Sequence, residues 1–341
     1  MLYLRDRWIW DSWPIDDGDD HHLFYLQAPR SLGDPALRHW HATVGHAVST
    51  DYQHWTVLPD VIGPSAGPAW DDLAIWTGSV VRGDAGAWHL FYTAISAKEG
   101  GRVQRIGRAD SDDLVTWRRY ADRPLVQADP RWYETLDLMS WREEAWRDPW
   151  VFRDPGGDGW HMLITARVRT GPRLARGVIG HARSTDLARW AVLPPLTRPA
   201  GFGQMEVSQV AMLDGRAVLT FCCFAADISE QRRRATPEVG MWSAGGASLL
   251  GPFDVENAVP LGDPTLYAAH LVGLGTDRPA LLGFRNNTDG TFVGAIYPPV
   301  PVRLGPDGTL AELPMDAEPP ADAGLPIDAE LPIDDAARRP S

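Results

Sequence analysis

The stretch Gly45-His46-Ala47-Val48-Ser49-Thr50-Asp51, with Trp55 behind it, decides the fold, because close copies of it occur twice more. The second copy is Gly107-Arg108-Ala109-Asp110-Ser111-Asp112-Asp113 with Trp117, and the third is Gly180-His181-Ala182-Arg183-Ser184-Thr185-Asp186 with Trp190. The tryptophan lies ten residues after the glycine in all three copies. Each copy predicts a short strand, a turn at the aspartate and a further strand at the tryptophan.

A second motif repeats beside the first and sets the number of units. It is an apolar, aromatic strand of the type His22-Leu23-Phe24-Tyr25, and further copies lie around Leu90, Leu163, Leu219 and Leu281. Successive copies are 67, 73, 56 and 62 residues apart. Units of about 60 residues with about four short strands are typical of propeller blades. We therefore predict an all-β fold, a single-domain five-bladed β-propeller. An irregular β-sandwich, in which the similarity is coincidental, is the alternative.

Composition limits the partners. The chain has 341 residues, 44% of them hydrophobic, and a formal net charge of −13. This acidity argues against nucleic acid and against an anionic membrane surface, because basic faces bind both. No apolar run reaches the roughly 18 residues of a membrane helix. We therefore expect a small-molecule substrate, no nucleic acid and no membrane.

The first residues and the cysteines predict a location. The segment 1–7 has no apolar core followed by a small-residue cleavage site, so we see no signal peptide. The two cysteines, Cys222 and Cys223, are adjacent, which excludes a disulfide framework and fits a reducing compartment. Two cysteines alone also argue against a structural zinc site. We expect a cytoplasmic protein with no metal.

The propeller is expected to span residues 1–304. From about Gly305, Pro, Asp, Ala and Glu dominate, and Leu-Pro-Ile-Asp occurs at 325–328 and again at 331–334. Such a stretch buries little apolar surface, so 305–341 is predicted to be a disordered or loosely docked tail. The tail is too short for a C-terminal β-sandwich, so none is expected.

Three carboxylates lie at predicted strand starts without belonging to the repeats. Asp11 lies among three tryptophans, whose faces suit stacking on a sugar ring. Asp148 follows Arg147, and a neighbouring guanidinium favours the ionised carboxylate. Glu206 interrupts an apolar strand, where burial would give it the raised pKa of a general acid. Glycoside hydrolysis needs such a pair, an acid and a nucleophile or base. A structural or solvent-exposed role is the alternative for each of the three.

In these motifs the chain resembles the five-bladed propeller glycoside hydrolases of family 32, with relatives in families 68 and 43. The resemblance covers about residues 8–300. Trp10-Asp11 and 22–27 are similar to that family's Asn-Asp-Pro-Asn and His-Leu-Phe-Tyr-Gln, and 76–79 to its Phe-Ser-Gly-Ser. Residues 147–149 match its Arg-Asp-Pro, 205–207 resemble its Glu-Cys segment, and Tyr267-Ala268 resembles its Tyr-Ala-x-Gln.

The resemblance implies a role for each acid. Asp11 would be the nucleophile at the anomeric carbon, and Glu206 the general acid and then the base. Asp148 would stabilise the transition state through the sugar hydroxyls, with Arg147 supporting Glu206 or the substrate. The resemblance also implies further substrate-binding residues around the terminal sugar, namely Trp10, Gln27, Asp72, Trp76, Tyr267 and His270.

Three positions depart from the family pattern. Asp11 lacks the Asn-Asp-Pro-Asn setting, Val207 stands in place of the cysteine, and His270 in place of the glutamine. The resemblance implies a retaining, exo-acting β-fructofuranosidase-like hydrolase of small oligosaccharides that needs no cofactor. The alternatives are an inverting arabinofuranosidase or xylosidase of the family 43 type, a fructosyltransferase, and a propeller that binds glycans without catalysis.

Overall fold

The computed structural model of the protein describes residues 1–136, 141–236, 240–276, 278–287 and 290–313. Strands dominate these ranges, and Glu230–Ala235 (α1) is the one α-helix in them. No helix in the described ranges is both long and apolar enough to cross a membrane. The strands form five sheets, which confirms the predicted all-β, five-bladed β-propeller.

Four of the sheets are antiparallel and contain four consecutive strands each, so each is one blade. Blade 1 contains β2 (Arg7–Asp17), β3 (Asp20–Pro29), β4 (Thr43–Ser49) and β5 (Thr56–Ile62). Blade 2 contains β6 (Ala74–Arg82), β7 (Trp88–Ile95), β8 (Arg105–Ser111) and β9 (Arg118–Arg119). Blade 3 contains β10 (Trp146–Arg153), β11 (Trp160–Arg167), β12 (Gly177–Ser184) and β13 (Ala191–Leu193). Blade 4 contains β14 (Glu206–Leu213), β15 (Arg216–Cys223), β16 (Gly240–Gly246) and β17 (Val259–Pro260).

The fifth sheet includes the first strand of the chain. Its six strands are β1 (Leu2–Tyr3), β18 (Leu266–Val272), β19 (Ala280–Arg285), β20 (Ala295–Ile296), β21 (Val300–Leu304) and β22 (Leu310–Glu312). The pairing of β1 with β20 closes the ring between blades 1 and 5. The pairing of β21 with β22 carries the sheet past residue 304, the expected end of the propeller. The rest of the expected tail, 314–341, lies outside the described residues.

Short 3-10 helices occupy several connections between strands. They span Arg30–Leu32, Pro35–His41, Ala97–Glu99, Arg173–Ala175, Ala225–Asp227 and Val255–Asn257. The helix Pro35–His41 begins at Asp34, whose side chain accepts a hydrogen bond from the backbone N–H of Ala36. Proline at its first position suits a helix start, because the missing N–H would have no partner there.

The repeated aromatic residues pack neighbouring blades together. Phe24 of blade 1 meets Trp117 of blade 2 edge to face, with ring centroids 5.6 Å apart. Phe91 of blade 2 meets Trp190 of blade 3 in the same way at 5.5 Å. Aromatic pairs in this geometry add stability beyond the apolar area they bury. The tryptophan spacing in the sequence therefore marks the contact between one blade and the next.

Candidate active site

The innermost strand of every blade contains a β-bulge at an equivalent position. In β2 the ladder pairs Trp10 with Leu26 and then Ser12 with Tyr25, so Asp11 is the extra residue. Equivalent register shifts in β6, β10, β14 and β18 follow immediately before Thr77, Asp148, Val207 and Ala268. A bulge bends its strand and redirects the side chain at the extra residue.

Four of these five residues have a left-handed backbone. The φ angle is 27° at Asp11, 58° at Asp148, 48° at Val207 and 46° at Ala268. Residues other than glycine seldom adopt this conformation, and each such residue costs about 1–3 kcal/mol. Backbone strain of this kind clusters at functional sites, where the surrounding structure holds it. The bulges therefore mark this end of the inner strands as the candidate site.

A cavity of about 500 Å³ opens over the bulges. The innermost strands of all five blades line it with Trp10, Asp11, Trp76, Thr77, Arg147, Asp148, Glu206, Val207 and Tyr267. The three carboxylates singled out in the sequence thus lie on the wall of one cavity. Four of the expected substrate-binding residues, Trp10, Trp76, Arg147 and Tyr267, lie there with them.

Asp11 is a carboxyl group among other carboxyl groups. The hydroxyl of Thr77 in the next blade donates a hydrogen bond of 2.8 Å to Asp11 Oδ2. Burial, and then the negative charges of Asp148 and Glu206, raise the pKa of Asp11 to about 7, against the effect of the Thr77 hydrogen bond. The group therefore changes its ionisation near neutral pH.

Asp148 is held by three elements. Thr165 Oγ1 donates to its Oδ2 at 2.8 Å, and the backbone N–H of Val207 donates to the same atom at 3.2 Å. Arg147 Nε lies 3.5 Å from that oxygen. Burial raises the pKa of Asp148 to about 6, although the Arg147 charge lowers it. The side chain is thus fixed in place as well as desolvated.

Glu206 accepts hydrogen bonds on both carboxylate oxygens. Arg147 Nη2 donates to Oε1 at 2.5 Å, and the Tyr267 hydroxyl donates to Oε2 at 2.5 Å. Burial raises the pKa of Tyr267 far above its usual value, so the phenol keeps its proton and remains a donor. The two donors leave the Glu206 carboxyl group a single orientation toward the cavity.

Arg147 connects two of the acids and is itself held by two amides. Its Nη1 donates to Gln104 Oε1 at 3.1 Å, and its Nη2 donates to Gln204 Oε1. Burial works against its charge, but Glu206 and Asp148 raise the pKa of Arg147, so it is always protonated. The guanidinium is a fixed positive charge between the two carboxylates.

Three residues expected to bind the terminal sugar are not among those that line the cavity. Gln27 is buried within blade 1, where it pairs across the ladder with Ile9 and Thr43. Asp72 accepts hydrogen bonds from the backbone N–H groups of Ala97 and Ala69, so it shapes a connection. For these two, the expectation is corrected because the local backbone takes up the side chain.

His270 is the third. It lies beyond the bulge of β18, is buried, and stacks on Trp150 with ring centroids 4.9 Å apart. Its Nδ1 lies 2.8 Å from the backbone oxygen of Ser12. Burial lowers the pKa of His270 to about 4, so the ring is neutral. It packs blades together beneath the cavity wall instead of lining it.

The structure also adds cavity residues that the sequence did not single out. Arg38, His39 and Trp40 come from the 3-10 helix Pro35–His41, and Phe224 and Asp227 come from the connection after β15. All of them lie in connections between strands, where no repeat marks them. The one available signal was the basic and aromatic run at 38–41 between two apolar strands of the first repeat.

Comparisons with known proteins agree with this geometry. Residues 12–291 match the model of the glycosyl hydrolases family 32 N-terminal domain. The extracellular sucrase of Zymomonas mobilis is 25% identical over 358 residues, which cover 90% of this chain and 81% of that protein. Beta-fructofuranosidase 1 of Zea mays is 30% identical over 194 residues, which cover 54% of this chain and 26% of that protein.

A solved structure shows the same fold. The inulosucrase from Halalkalicoccus jeotgali bound to kestose superposes with a TM-score of 0.75 at 21% identity. The match covers 96% of this chain and 94% of that chain. The cytoplasmic location expected from the sequence stays a prediction, and one of the sequence relatives is named an extracellular sucrase.

Proposed function

The chain belongs to glycosyl hydrolase family 32, and from that premise we propose that it releases a terminal β-fructofuranosyl unit from small oligosaccharides. It is a glycoside hydrolase, because the family model covers most of the chain and its relatives include a sucrase and a fructofuranosidase. The observation that carries the finer proposal is the convergence of Asp11, Asp148 and Glu206 on one cavity.

Asp11 is proposed as the nucleophile. Its carboxylate attacks the anomeric carbon of the furanose, and the bond from that carbon to the leaving oxygen breaks. A covalent ester between the sugar and Asp11 results, as in retaining glycosidases. The Thr77 hydroxyl at 2.8 Å holds the carboxylate for this attack.

Glu206 is proposed as the acid and then the base. It gives its proton to the leaving oxygen in the first step. In the second step its carboxylate takes a proton from water, the oxygen of that water attacks the anomeric carbon, and Asp11 is freed. The hydrogen bonds from Arg147 and Tyr267 favour the carboxylate form that the second step requires.

Asp148 is proposed to bind the sugar and not to react. Its Oδ2 already accepts from Thr165 and Val207 and lies near Arg147, which leaves Oδ1 for sugar hydroxyl groups. A fixed carboxylate near the anomeric carbon also stabilises the positive charge that develops there in the transition state. The cavity wall at this height therefore holds one group for each task.

The leaving group is proposed to lie on the open side of Glu206. Phe224 stacks on Tyr267 with ring centroids 4.5 Å apart and is 41% exposed, and Trp40 is 44% exposed on the same cavity. Exposed aromatic faces suit the apolar face of a sugar ring. The cavity thus has a carboxylate end for the furanose and an aromatic mouth for the remainder.

The test is sugar release from a panel of substrates. Sucrose, short inulin-type and levan-type oligosaccharides, and nitrophenyl arabinofuranoside and xyloside are each incubated with the wild type and with Glu206→Gln. Glu256→Gln, at an exposed position far along the chain, is the matched control. We expect free fructose from the wild type and the control, and a loss of about 10²–10⁴-fold in kcat/KM in Glu206→Gln.

Other products would replace the proposal. Pentose release would favour an arabinofuranosidase or xylosidase, and glycan binding without any product would favour a non-catalytic propeller. Addition of methanol tests the stereochemistry, because a retaining enzyme transfers the sugar to give methyl β-fructofuranoside. Transfer to a second sugar is the second candidate activity, supported by the structural likeness to an inulosucrase. Longer oligosaccharides in the sucrose reaction would identify it.

A further inference from the structure

Arg38 lines the same cavity as the three acids and has no assigned role. It lies in the 3-10 helix Pro35–His41, between the second and third strands of blade 1. Its guanidinium carbon is 4.0 Å from the centre of the Phe292 ring and 5.4 Å from that of Trp10. Trp10 immediately precedes Asp11, so the cation is packed beside the proposed nucleophile.

The positive charge of Arg38 is not taken up by a salt bridge. Its Nη1 donates to the backbone oxygen of Pro35 at 2.9 Å, and its Nε is buried without a hydrogen-bond partner among the described residues. Burial lowers the pKa of Arg38 to about 10, so the group is still charged at neutral pH. A desolvated cation of this kind is costly unless a negative charge lies within reach.

Asp11 faces the opposite problem. The other carboxylates that act on it, Asp148 and Glu206, are negative, and burial disfavours its charged form. Arg147 is hydrogen-bonded to Glu206 and lies beside Asp148, so its charge serves those two. Attack on the anomeric carbon nevertheless requires Asp11 to be ionised.

The remaining titratable groups around Asp11 supply no charge. His39 meets the Trp10 ring edge to face, and burial lowers the pKa of His39 to about 3, so its imidazole is neutral. The Cys222 thiol, which also acts on Asp11, has a pKa raised far above its usual value by burial and is neutral as well. Among the described residues, Arg38 is the cation whose charge acts on Asp11, and Asp11 is the acid that acts on Arg38.

We propose that Arg38 is a positioning residue for catalysis, whose charge keeps the Asp11 carboxylate ionised while Asp148 and Glu206 repel it. The inference rests on the proposed function of Asp11. It assigns the two arginines of the cavity to different acids, with Arg147 serving Glu206 and Asp148, and Arg38 serving Asp11.

The test is a direct titration of Asp11. Protein labelled with ¹³C at the aspartate carboxyl carbons is titrated by NMR, and Asp11→Asn identifies the signal. The variants are Arg38→Gln, which removes the charge, and Arg38→Lys, which keeps it. Arg303→Gln, at an exposed position on β21, is the matched control for loss of one positive charge. We expect the Asp11 midpoint to rise by about 1 unit or more in Arg38→Gln, since an opposite charge nearby lowers a carboxyl pKa by roughly 1–3 units. It should return toward the wild-type value in Arg38→Lys and stay unchanged in Arg303→Gln.

A kinetic measurement separates this role from a structural one. The acid limb of kcat/KM against pH should move upward with the Asp11 midpoint in Arg38→Gln, so that the loss is about tenfold below the limb and small above it. A structural defect would lower activity at all pH values alike. Arg38→Met, which keeps an apolar stem on Phe292, provides the same measurement if the glutamine variant does not fold.

The proposal fails if the Asp11 midpoint in Arg38→Gln shifts no more than in Arg303→Gln. It also fails if Arg38→Lys shifts the midpoint as far as Arg38→Gln. The NMR titration needs no substrate, so it decides the role of Arg38 even if no fructoside is cleaved. Absence of fructose release with a shifted midpoint would contradict the proposed substrate and leave the charge pairing intact.

Discussion

The turns after the third strands of blades 1, 2 and 3 are built alike, whereas the bulges of the inner strands carry a different residue in almost every blade. In each turn an aspartate oxygen accepts from two backbone N–H groups two and three residues ahead and from a serine hydroxyl two residues behind. The three aspartates are Asp51, Asp113 and Asp186. The residue after each aspartate has a positive φ, between 57° and 63°.

The bulges share a backbone geometry but no chemistry. The extra residue is an aspartate in blades 1 and 3, a threonine in blade 2, a valine in blade 4 and an alanine in blade 5. A position that repeats in every blade serves the blade, since every blade needs the same turn and the same packing. A position that differs between blades serves the cavity, which needs each functional group once or twice.

Replacing the aspartate in each region should give opposite phenotypes. Asp11→Ala removes the proposed nucleophile, and we expect kcat/KM to fall by at least about 10³-fold. Its free energy of unfolding should change little, because the lost contact with Thr77 is offset by relief of repulsion from Asp148 and Glu206. Kinetics on the cleaved substrate and urea unfolding at pH 7 measure the two quantities.

Asp186→Ala is the matched change in a turn. It removes acceptors for the N–H groups of Ala188 and Arg189, and we expect a loss of about 1 kcal/mol in unfolding free energy with kcat/KM unchanged. The comparison of regions breaks if Asp186→Ala reduces kcat/KM as strongly as Asp11→Ala does.

The repeated part of blades 1 and 3 also contains a pair of hydrogen-bonded imidazoles. His22 Nδ1 lies 2.9 Å from His46 Nε2, and His161 Nδ1 lies 2.8 Å from His181 Nε2. Burial, and then the neighbouring histidine, lower the pKa of His46 to about 3 and that of His181 to about 4. Both rings are therefore neutral in the folded protein at pH 5.

These pairs should make the fold sensitive to acid. Between pH 6.5 and pH 4 the unfolded chain takes up a proton at His181 that the folded chain does not, so stability falls as the pH falls. From pH 7 to pH 5 this one group accounts for about 2 kcal/mol. His181→Gln, which does not titrate, should lose about 2 kcal/mol less than the wild type over that range in urea unfolding. Equal losses in the two proteins would contradict the assignment.

The smallest effect is expected at Asp72, which the sequence placed in the sugar pocket and the structure places in a connection. Its carboxylate accepts from the N–H groups of Ala69 and Ala97. Asp72→Asn keeps an acceptor oxygen, so we expect kcat/KM within about threefold of the wild type and a stability change below about 1 kcal/mol. A much larger fall in kcat/KM, with normal unfolding, would return Asp72 to the site.

Periodicity allowed the fold to be predicted, because the tryptophan spacing reports a contact that recurs between blades. The acids could be predicted because each breaks an apolar strand pattern at its start. Gln27 and His270 could not be located, since one register shift at a bulge decides which neighbouring side chains reach the cavity. Arg38 could not be found because its partner Asp11 lies 27 residues away, across a connection that no motif marks.

The pairing of β1 with β20 determines how the ring comes apart. Arg30 clasps the same junction, with hydrogen bonds to the backbone oxygens of Leu4, Arg7 and Val293. The ring thus has a seam between blades 1 and 5, with Asp11 on one side and Tyr267 on the other. If that seam parts, every blade can keep its own ladder while the nucleophile moves away from Glu206. Catalysis is then the first property to be lost under mechanical or thermal load, ahead of any change in strand content.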